Sequence, residues 1–363
     1  MRSAVTRAAC LLAVLCAVLP ARALARPGLL VGVDDDTVKW RASPAAIDSV
    51  YRDLGVGAVR ITLPWQRGLT QPTKLQQVYG HRIAMLLALG ERVVLAVYGP
   101  PSQAPTTERW RDQYCGFVAH VVTRLPIRDV VIWNEANSAA YWPSSSGAAG
   151  YERLLATCWD TLHRRVRGIN VISSTAAHHD PVGFALALGD AYRASGRTRP
   201  IADTFGHNPY PDYSGEPVTT VHDPASRTVG EGDLPYLLAA YGTAFDGTGQ
   251  QPPGVGRTTI WYLEDGFQTL PPESKRGLYQ GSENDRGPVH TPTQASQLRD
   301  ALVLAYCQPA VGAFFNFELI DERRLVGWQS GLLYGDRTPK PAYAVFKDTL
   351  AALAAGRVGC AQH

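Results

Sequence analysis

The chain has 363 residues, of which 45% are hydrophobic and 18% are charged, and its formal net charge is +3. This composition indicates a globular protein that is long enough to bury a full core. The net charge is too small to indicate a nucleic-acid partner, so none is expected.

The N-terminus has the pattern of an export segment. Arg2 and Arg7 provide positive charge, the run 8–19 is almost wholly apolar, and Ala23-Leu24-Ala25 fits a small-x-small cleavage site. We therefore predict a secretory signal peptide over residues 1–25 and a secreted mature chain that begins near Arg26. The alternative is a membrane anchor, but the apolar run is short for a bilayer span, which needs about 20 residues.

Beyond this segment, short apolar strands alternate with longer amphipathic helices. Strands are predicted at 29–33, 58–63, 92–98, 129–133, 170–174, 203–207, 259–264 and 311–317. Helices are predicted at 43–53, 74–90, 107–125, 148–168, 180–195, 234–245, 293–306 and 341–355.

Eight strands, each followed by a helix, predict an α/β fold that is a single (β/α)8 TIM barrel over residues 26–363. The alternative is an open doubly wound sheet, but no G-x-G-x-x-G turn follows any strand. Two long connections, 211–233 and 267–292, follow carboxyl ends of strands and should lie over the face where a barrel carries its active site. The tract 247–257 precedes a strand and should lie on the opposite face.

Four cysteines follow the export segment: Cys115, Cys158, Cys307 and Cys360. An even number in an exported chain indicates disulfides, although four buried thiols are the alternative. We predict a Cys115–Cys158 bond because these residues lie on the two helices that flank the fourth strand. The remaining pair, Cys307–Cys360, would join the ends of the last two helices.

Two glutamates lie at the ends of apolar strands, Glu135 after the fourth and Glu264 at the end of the seventh. These strands face each other across the catalytic rim of a barrel. Retaining glycosidases need two carboxyl groups about 5–5.5 Å apart. One protonates the leaving oxygen and then activates water, while the other attacks the anomeric carbon. Glu135 and Glu264 are therefore candidate catalytic residues.

The segment Trp133-Asn134-Glu135-Ala136-Asn137 resembles the fourth-strand signature of the clan of retaining barrel glycoside hydrolases that includes cellulase-like, xylosidase-like and mannanase-like families. The resemblance follows the strand order of the whole barrel and assigns no single family. It implies that Glu135 is the acid/base and Glu264 the nucleophile. It also implies that Asn134 binds the 2-hydroxyl of the sugar and that Arg60 lies beside the nucleophile, which its guanidinium would keep ionised.

A second segment, His207-Asn208-Pro209-Tyr210, resembles the His-x-Tyr variants that follow the sixth strand in this clan. The tyrosine there usually donates a hydrogen bond to the nucleophile. Because the spacing is one residue longer here, His207 is the preferred binding residue and Tyr210 the less certain one. A structural histidine is the alternative for His207.

The chain also departs from the clan. Its eighth strand ends in Phe317-Glu318 where a tryptophan is common, so Trp328 in the following loop is a candidate substitute, and Asp265 adds a second carboxylate directly after Glu264. Aromatic rings on which sugars could stack follow several strands; these are Trp65, Tyr98, Tyr141, Trp142 and Trp328, with Trp65 and Trp142 preferred. The run Asp34-Asp35-Asp36 is interpreted as solvated charge, and neither H-E-x-x-H nor C-x-x-C occurs, so no metal or cofactor is expected.

These patterns predict a secreted, monomeric glycosidase that cleaves β-linked oligosaccharides or polysaccharides with retention of configuration. Its expected partner is a carbohydrate, and no membrane span is expected in the mature chain. One alternative is a secreted carbohydrate-binding barrel without turnover. Another is a transglycosylase that uses the same two glutamates.

Overall fold

The computed structural model describes residues 28–40, 43–284 and 286–360. The predicted signal peptide, residues 1–25, lies outside the described residues. Within them, no helix has the length and apolar character needed to cross a membrane.

Strands and helices alternate along the described chain. The strands are β1 (Leu30–Asp34), β2 (Ala58–Pro64), β3 (Val93–Tyr98), β4 (Asp129–Ile132), β5 (Asn170–Ile172), β6 (Thr175–Ala176), β7 (Phe205–Asn208), β8 (Ile260–Asp265) and β9 (Val311–Phe317). The helices are α1 (Pro44–Leu54), α2 (Lys74–Ala88), α3 (Glu108–Arg124), α4 (Gly147–Arg165), α5 (Pro181–Ala194), α6 (Leu234–Phe245), α7 (Thr291–Cys307) and α8 (Pro341–Ala354).

All strand pairs are parallel, and the sheet order is β5-β4-β3-β2-β1-β9-β8-β7-β6. The ring is completed between β5 and β7, because Ile172 forms a parallel bridge with Thr204 and the Asp203 N–H donates to Val171 O at 2.9 Å. Since β5 and β6 occupy the position of one barrel strand, the predicted (β/α)8 barrel is confirmed.

The fifth predicted strand is interrupted at Ser173 and Ser174, which lie between β5 and β6. There the Ser173 N–H donates to Thr204 O at 3.1 Å, and the Ser174 N–H donates to the Tyr151 hydroxyl at 2.9 Å. The backbones approach so closely that a Cβ on Gly206 would lie 2.2 Å from Ser173 O. At Ser174 the backbone N–H therefore bonds a side chain instead of a neighbouring strand, just below the catalytic rim.

The barrel has two apolar layers because successive strand residues face opposite sides. Inside the barrel, β3 contributes Val94 and Ala96, which pack with Ala58 of β2. Between the strands and the helices, the alternate β3 residues 93, 95 and 97 join the main core. Arg60 lies two residues after Ala58 on the inward face of β2 and is fully buried. This alternation directs a charged side chain into the barrel, below the catalytic rim.

Both predicted disulfides are formed. Cys115 of α3 bonds Cys158 of α4, with their Cα atoms 4.8 Å apart, and Cys307 bonds Cys360, with their Cα atoms 5.4 Å apart. Cys115 and Cys158 are fully buried, so the first bond ties two neighbouring helices within the core.

Candidate active site

Glu135 lies just beyond the carboxyl end of β4, in a turn with an uncommon backbone. Trp133 and Glu135 have φ angles of 65° and 40°, a left-handed conformation that costs a residue other than glycine about 1–3 kcal/mol. Neighbouring segments stabilise the turn, because the Trp133 N–H donates to Val97 O at 3.2 Å and the Glu135 N–H donates to Ser174 Oγ at 3.1 Å. The turn therefore gives Glu135 a fixed position on the rim of the cavity.

A β-bulge sets the direction of Glu264. The pairing of β8 with β9 joins Tyr262 to Phe314 and Asp265 to Asn316, so β8 carries one extra residue in this interval. Leu263 faces the barrel interior, and strict alternation would turn Glu264 away from it. The bulge instead brings the Glu264 carboxylate into the cavity.

Arg60 connects two candidate residues, Glu264 and Asn134, with Asp34. Its Nη1 ion-pairs with Asp34 and lies 2.8 Å from Glu264 Oε1, and its Nη2 donates to Asn134 Oδ1 at 3.1 Å. Burial acts to lower the pKa of Arg60, but attraction to Asp34 and Glu264 outweighs it and raises the pKa, so the guanidinium stays charged. The predicted position of Arg60 beside Glu264 agrees with this geometry.

Two residues at the carboxyl end of β7 contact the two carboxyl groups: Asn208 is the last residue of the strand, and Tyr210 follows it. The Tyr210 hydroxyl donates to Glu264 Oε2 at 3.2 Å, and Asn208 Nδ2 donates to Glu135 Oε1 at 2.9 Å. Glu264 thus has a contact on each oxygen, one from a guanidinium and one from a hydroxyl.

Glu135 has a different environment. Burial and the nearby charge of Glu264 raise the pKa of Glu135 to about 7, although Asn208 and Arg60 act to lower it. The two carboxyl groups that face one cavity therefore have different surroundings: Glu135 can hold a proton near neutral pH, whereas Glu264 is paired with a guanidinium.

The cavity has a volume of about 850 Å³ and contains both carboxyl groups. Tyr98, Tyr141, Tyr210 and Trp328 line it, as does the exposed Trp40. Trp328 stacks on Tyr210 with ring centres 5.2 Å apart, and the Arg286 guanidinium carbon lies 3.8 Å from the centre of the indole. Trp328 thus brings an indole to the cavity wall next to the end of β9, the position where the eighth strand lacks a tryptophan.

Trp65 and Trp142, the preferred platforms, are not in the cavity. Their side chains are 2% and 1% exposed and belong to the main hydrophobic core. The Trp65 indole N–H donates to Leu69 O, and that of Trp142 donates to Gly147 O, each at 3.0 Å. Because their rings pack inside the protein, their assignment as sugar platforms is wrong.

His207 is also a structural residue. Its Nε2 lies 2.9 Å from Val229 O and its Nδ1 lies 3.1 Å from Thr175 Oγ1, so neither ring nitrogen is available to a ligand. Burial lowers the pKa of His207 to about 4, which keeps the ring neutral. The preference for His207 over Tyr210 is therefore reversed, since Tyr210 reaches the nucleophile candidate.

Two residues of the aspartate run 34–36, Asp34 and Asp35, are not solvated, contrary to expectation. Asp34 pairs with Arg60, while Asp35 accepts hydrogen bonds from the hydroxyls of Thr37 and Tyr51 at 2.9 and 2.7 Å. Asp34 and Asp35 are 4% and 3% exposed. Repeated acidic residues carry no sign of burial in the sequence, and only the inward-facing position of Arg60 could have suggested a buried partner.

Asp265 faces away from the cavity as a result of the same bulge. It lies near the buried Glu231, whose pKa is raised well above its usual value by burial and by the Asp265 charge. Burial raises the pKa of Asp265 to about 7. Asp265 and Glu231 line a separate small pocket, so Asp265 is not a further carboxylate of the cavity.

The comparisons with known proteins agree with this architecture. The chain matches no family model, and no curated protein matches it. Among solved structures, a family 39 glycoside hydrolase from Bacteroides cellulosilyticus WH2 is 18% identical with a TM-score of 0.65, over 90% of this chain and 64% of that one. A GH53 catalytic domain from Ignisphaera aggregans is 15% identical with a TM-score of 0.62, over 88% and 95% of the two chains.

A β-glucosidase from Thermotoga maritima in complex with deoxynojirimycin is 12% identical with a TM-score of 0.61, over 90% of this chain and 98% of that chain. The present chain thus spans about two thirds of the length of the family 39 protein and nearly the full length of the other two. At these identities the likeness shows the (β/α)8 barrel fold.

Proposed function

We propose that this chain is a retaining glycosidase in which Glu135 is the acid/base and Glu264 is the nucleophile. The observation that carries the proposal is the contrast between the two carboxyl groups in one cavity. Glu135 is held near pKa 7 by burial and by Glu264, whereas Glu264 is bound by Arg60 and Tyr210. The solved structures named above are all glycoside hydrolases, which supports the same class of reaction.

In the first step, Glu264 Oε attacks the anomeric carbon while the proton of Glu135 passes to the departing glycosidic oxygen. Glu264 loses its negative charge as it forms the glycosyl ester, and Glu135 becomes the carboxylate because it has given its proton to the leaving oxygen, so the contacts of Arg60 and Tyr210 with Glu264 weaken. In the second step, ionised Glu135 removes a proton from water, which attacks the glycosyl ester and restores the configuration of the sugar. The pKa of Glu135 suits both steps, because it is close to the working pH.

Asn134 supports the transition state from the side of the 2-hydroxyl. Its Oδ1 accepts a hydrogen bond from Arg60 and its side chain also hydrogen-bonds Tyr141, so the amide NH2 is the group that would donate to a sugar oxygen. A contact that strengthens as charge develops on the ring accelerates the reaction rather than only tightening binding. Trp328, Tyr98 and Tyr141 provide aromatic surface for the sugar on the cavity wall.

We further propose that residues 26–363 form one catalytic domain, that the chain is secreted as a monomer after cleavage of residues 1–25, and that its substrate is a β-linked oligosaccharide or polysaccharide. The two disulfides are compatible with an oxidising compartment.

The test is a panel of aryl glycosides and polysaccharides, followed by proton NMR of the first product before it mutarotates. The protein Glu264→Gln, purified in the same way, is the control for contaminating glycosidases. Turnover by the wild-type chain with an initially retained anomer is expected. Turnover of no glycoside, or an initially inverted anomer, contradicts the proposal.

A further inference from the structure

A second cluster of potential ligands lies in the long connection between β7 and α6. Donor atoms of Asp212, Glu216 and His222 all lie within 4.8 Å of one another. His222 Nε2 is 3.3 Å from Glu216 Oε1 and 3.7 Å from Asp212 Oδ2. Asp212 also lines the active-site cavity, so the cluster is at its edge.

The tautomer of His222 is set by a buried carboxylate. Asp233, which is fully buried, accepts hydrogen bonds from the backbone N–H groups of His222 and Gly230 at 2.7 and 2.9 Å. His222 Nδ1 lies 2.6 Å from the same carboxylate and therefore carries a hydrogen. This arrangement of a carboxylate behind a histidine is typical of metal-binding histidines, whose other nitrogen is left as the ligand.

The remaining nitrogen of His222 has no hydrogen-bond partner among the described residues. Nε2 is buried, and the imidazole as a whole is 10% exposed. It points toward Glu216, whose side chain is also 10% exposed. A buried ring nitrogen without a partner costs free energy unless a ligand or a proton occupies it.

The two carboxylates keep an oxygen available beside this nitrogen. Glu216 Oε2 accepts from the Asp212 backbone N–H at 2.8 Å, which leaves Oε1 directed at His222. Asp212 Oδ1 accepts from Thr228 Oγ1 at 3.1 Å and lies 3.2 Å from His178 Nδ1, which leaves Oδ2. The Asp212 side chain is 45% exposed, so an ion can enter from solvent.

We propose that His222, Glu216 and Asp212 bind one divalent transition-metal ion, with Zn²⁺ as the best match, and that Asp233 orients His222 for this role. One imidazole and two carboxylates are zinc ligands, and water can complete a tetrahedral set. Ca²⁺ and Mg²⁺ prefer six or more oxygen ligands, which this cluster does not offer. Asp212, Glu216 and His222 are separated by 4 and 6 residues in a loop, so they do not form a metal-binding motif that the sequence alone would show.

The bound ion would tie residues 212–222 into one unit beside the cavity, through side chains that the glycosidase proposal does not use. The competing occupant of Nε2 is a proton, which would give an imidazolium held between Asp233 and Glu216. A metal ion and a proton cannot occupy Nε2 together, since only the lone pair of the neutral ring binds a metal, so binding of Zn²⁺ distinguishes the two.

The experiment uses the untagged full chain, stripped with a chelator and then titrated with Zn²⁺ by calorimetry at pH 7.5. We expect one Zn²⁺ per chain and a rise in Tm of about 3 °C or more at a hundredfold excess over Kd. Ca²⁺ at the same concentration should not change Tm. His222→Asn keeps a side-chain N–H for Asp233 but lacks Nε2, and it should weaken Zn²⁺ binding at least about 100-fold.

Asp212→Asn, at the exposed position, is the second variant and should weaken binding without disturbing the buried network. His81→Asn removes an exposed histidine of α2 and is the matched control, which should bind Zn²⁺ like the wild type. Wild-type protein that binds no Zn²⁺ at about 100 µM overturns the proposal, because any useful site of this ligand type binds more tightly. Equal binding by the wild type, His222→Asn and Asp212→Asn overturns it as well.

Discussion

The hydrogen bond from Asn208 to Glu135 gives a sharp test of how the acid/base is tuned. Glu135 must be protonated to act on the leaving group, so kcat/KM should fall as pH rises through its pKa of about 7. Asn208 Nδ2 donates to Glu135 Oε1 at 2.9 Å and acts to lower that pKa. Asn208→Ala should therefore raise the pKa of Glu135 and move the alkaline limb of the pH profile of kcat/KM to higher pH.

The size of the shift follows from the strength of the bond. A hydrogen bond to a charged group is worth about 1.5–3 kcal/mol, and one pKa unit corresponds to about 1.4 kcal/mol. Loss of the whole hydrogen-bond energy would raise the pKa of Glu135 by about 1–2 units. Because a water molecule can enter the space left by the amide, we expect a shift near the lower limit, from about 7 to about 8.

The assay is kcat/KM against pH with a substrate whose leaving group needs protonation. Asn170→Ala, at the opposite end of the barrel, is the matched control and should not change the pH at which kcat/KM falls. Glu135→Gln should show no such limb, since the titrating group is gone. An alkaline limb that stays at the same pH, or moves lower, in Asn208→Ala would refute the tuning of Glu135 by Asn208.

Three further predictions concern the barrel and the cavity. Arg60→Met leaves two buried carboxylates without their counter-charge, so it should lower kcat/KM at least about 100-fold and destabilise the chain by about 3–5 kcal/mol in urea unfolding; an unchanged kcat/KM would contradict the role of Arg60. Trp328→Ala should raise KM about 3- to 10-fold with little change in kcat, as steady-state kinetics would show, and a fall in kcat alone would contradict a platform role. The double variant Cys115→Ala/Cys158→Ala should lose about 4 kcal/mol of stability in urea, because the bond closes a separation of 43 residues, and equal stability under oxidising conditions would show that the bond does not form.

Most of the barrel could be predicted because its pattern is local. The helix α6 begins and ends where its apolar residues predict, at Leu234–Phe245, and Ser43 accepts a hydrogen bond from the Ala46 N–H at 3.2 Å as the cap of α1. The split of the fifth strand was missed because it depends on bonds from Ser173 and Ser174 to other elements.

The position of Glu264 on a strand end was predicted, but the reason that it faces the cavity was not. The bulge in β8 depends on the register with β9, which a single sequence does not show. Without the bulge, Asp265 rather than Glu264 would continue the inward alternation after Leu263. The resemblance to glycoside hydrolases selected the carboxylate that lines the cavity, whereas alternation alone would have chosen its neighbour.

Aromatic residues were the least predictable part of the site. Trp65 and Trp142 follow strands just as Tyr98 does, yet they fold back into the core while Tyr98 lines the cavity. Whether an indole packs or remains accessible depends on the course of the loop that carries it. Tyr210 was underrated for a similar reason, since one extra residue in its loop still lets the hydroxyl reach Glu264.

The roles of Glu135 and Glu264 are tested most directly by azide rescue of their alanine variants on a dinitrophenyl glycoside. Dinitrophenolate leaves without protonation, so Glu135→Ala should still form the glycosyl ester, which azide then attacks without a base to give a glycosyl azide of retained configuration. In Glu264→Ala, azide should replace the missing nucleophile and give the inverted glycosyl azide. Retained product from Glu264→Ala together with inverted product from Glu135→Ala would contradict the assignment, and unchanged activity in both variants would contradict the location of the site.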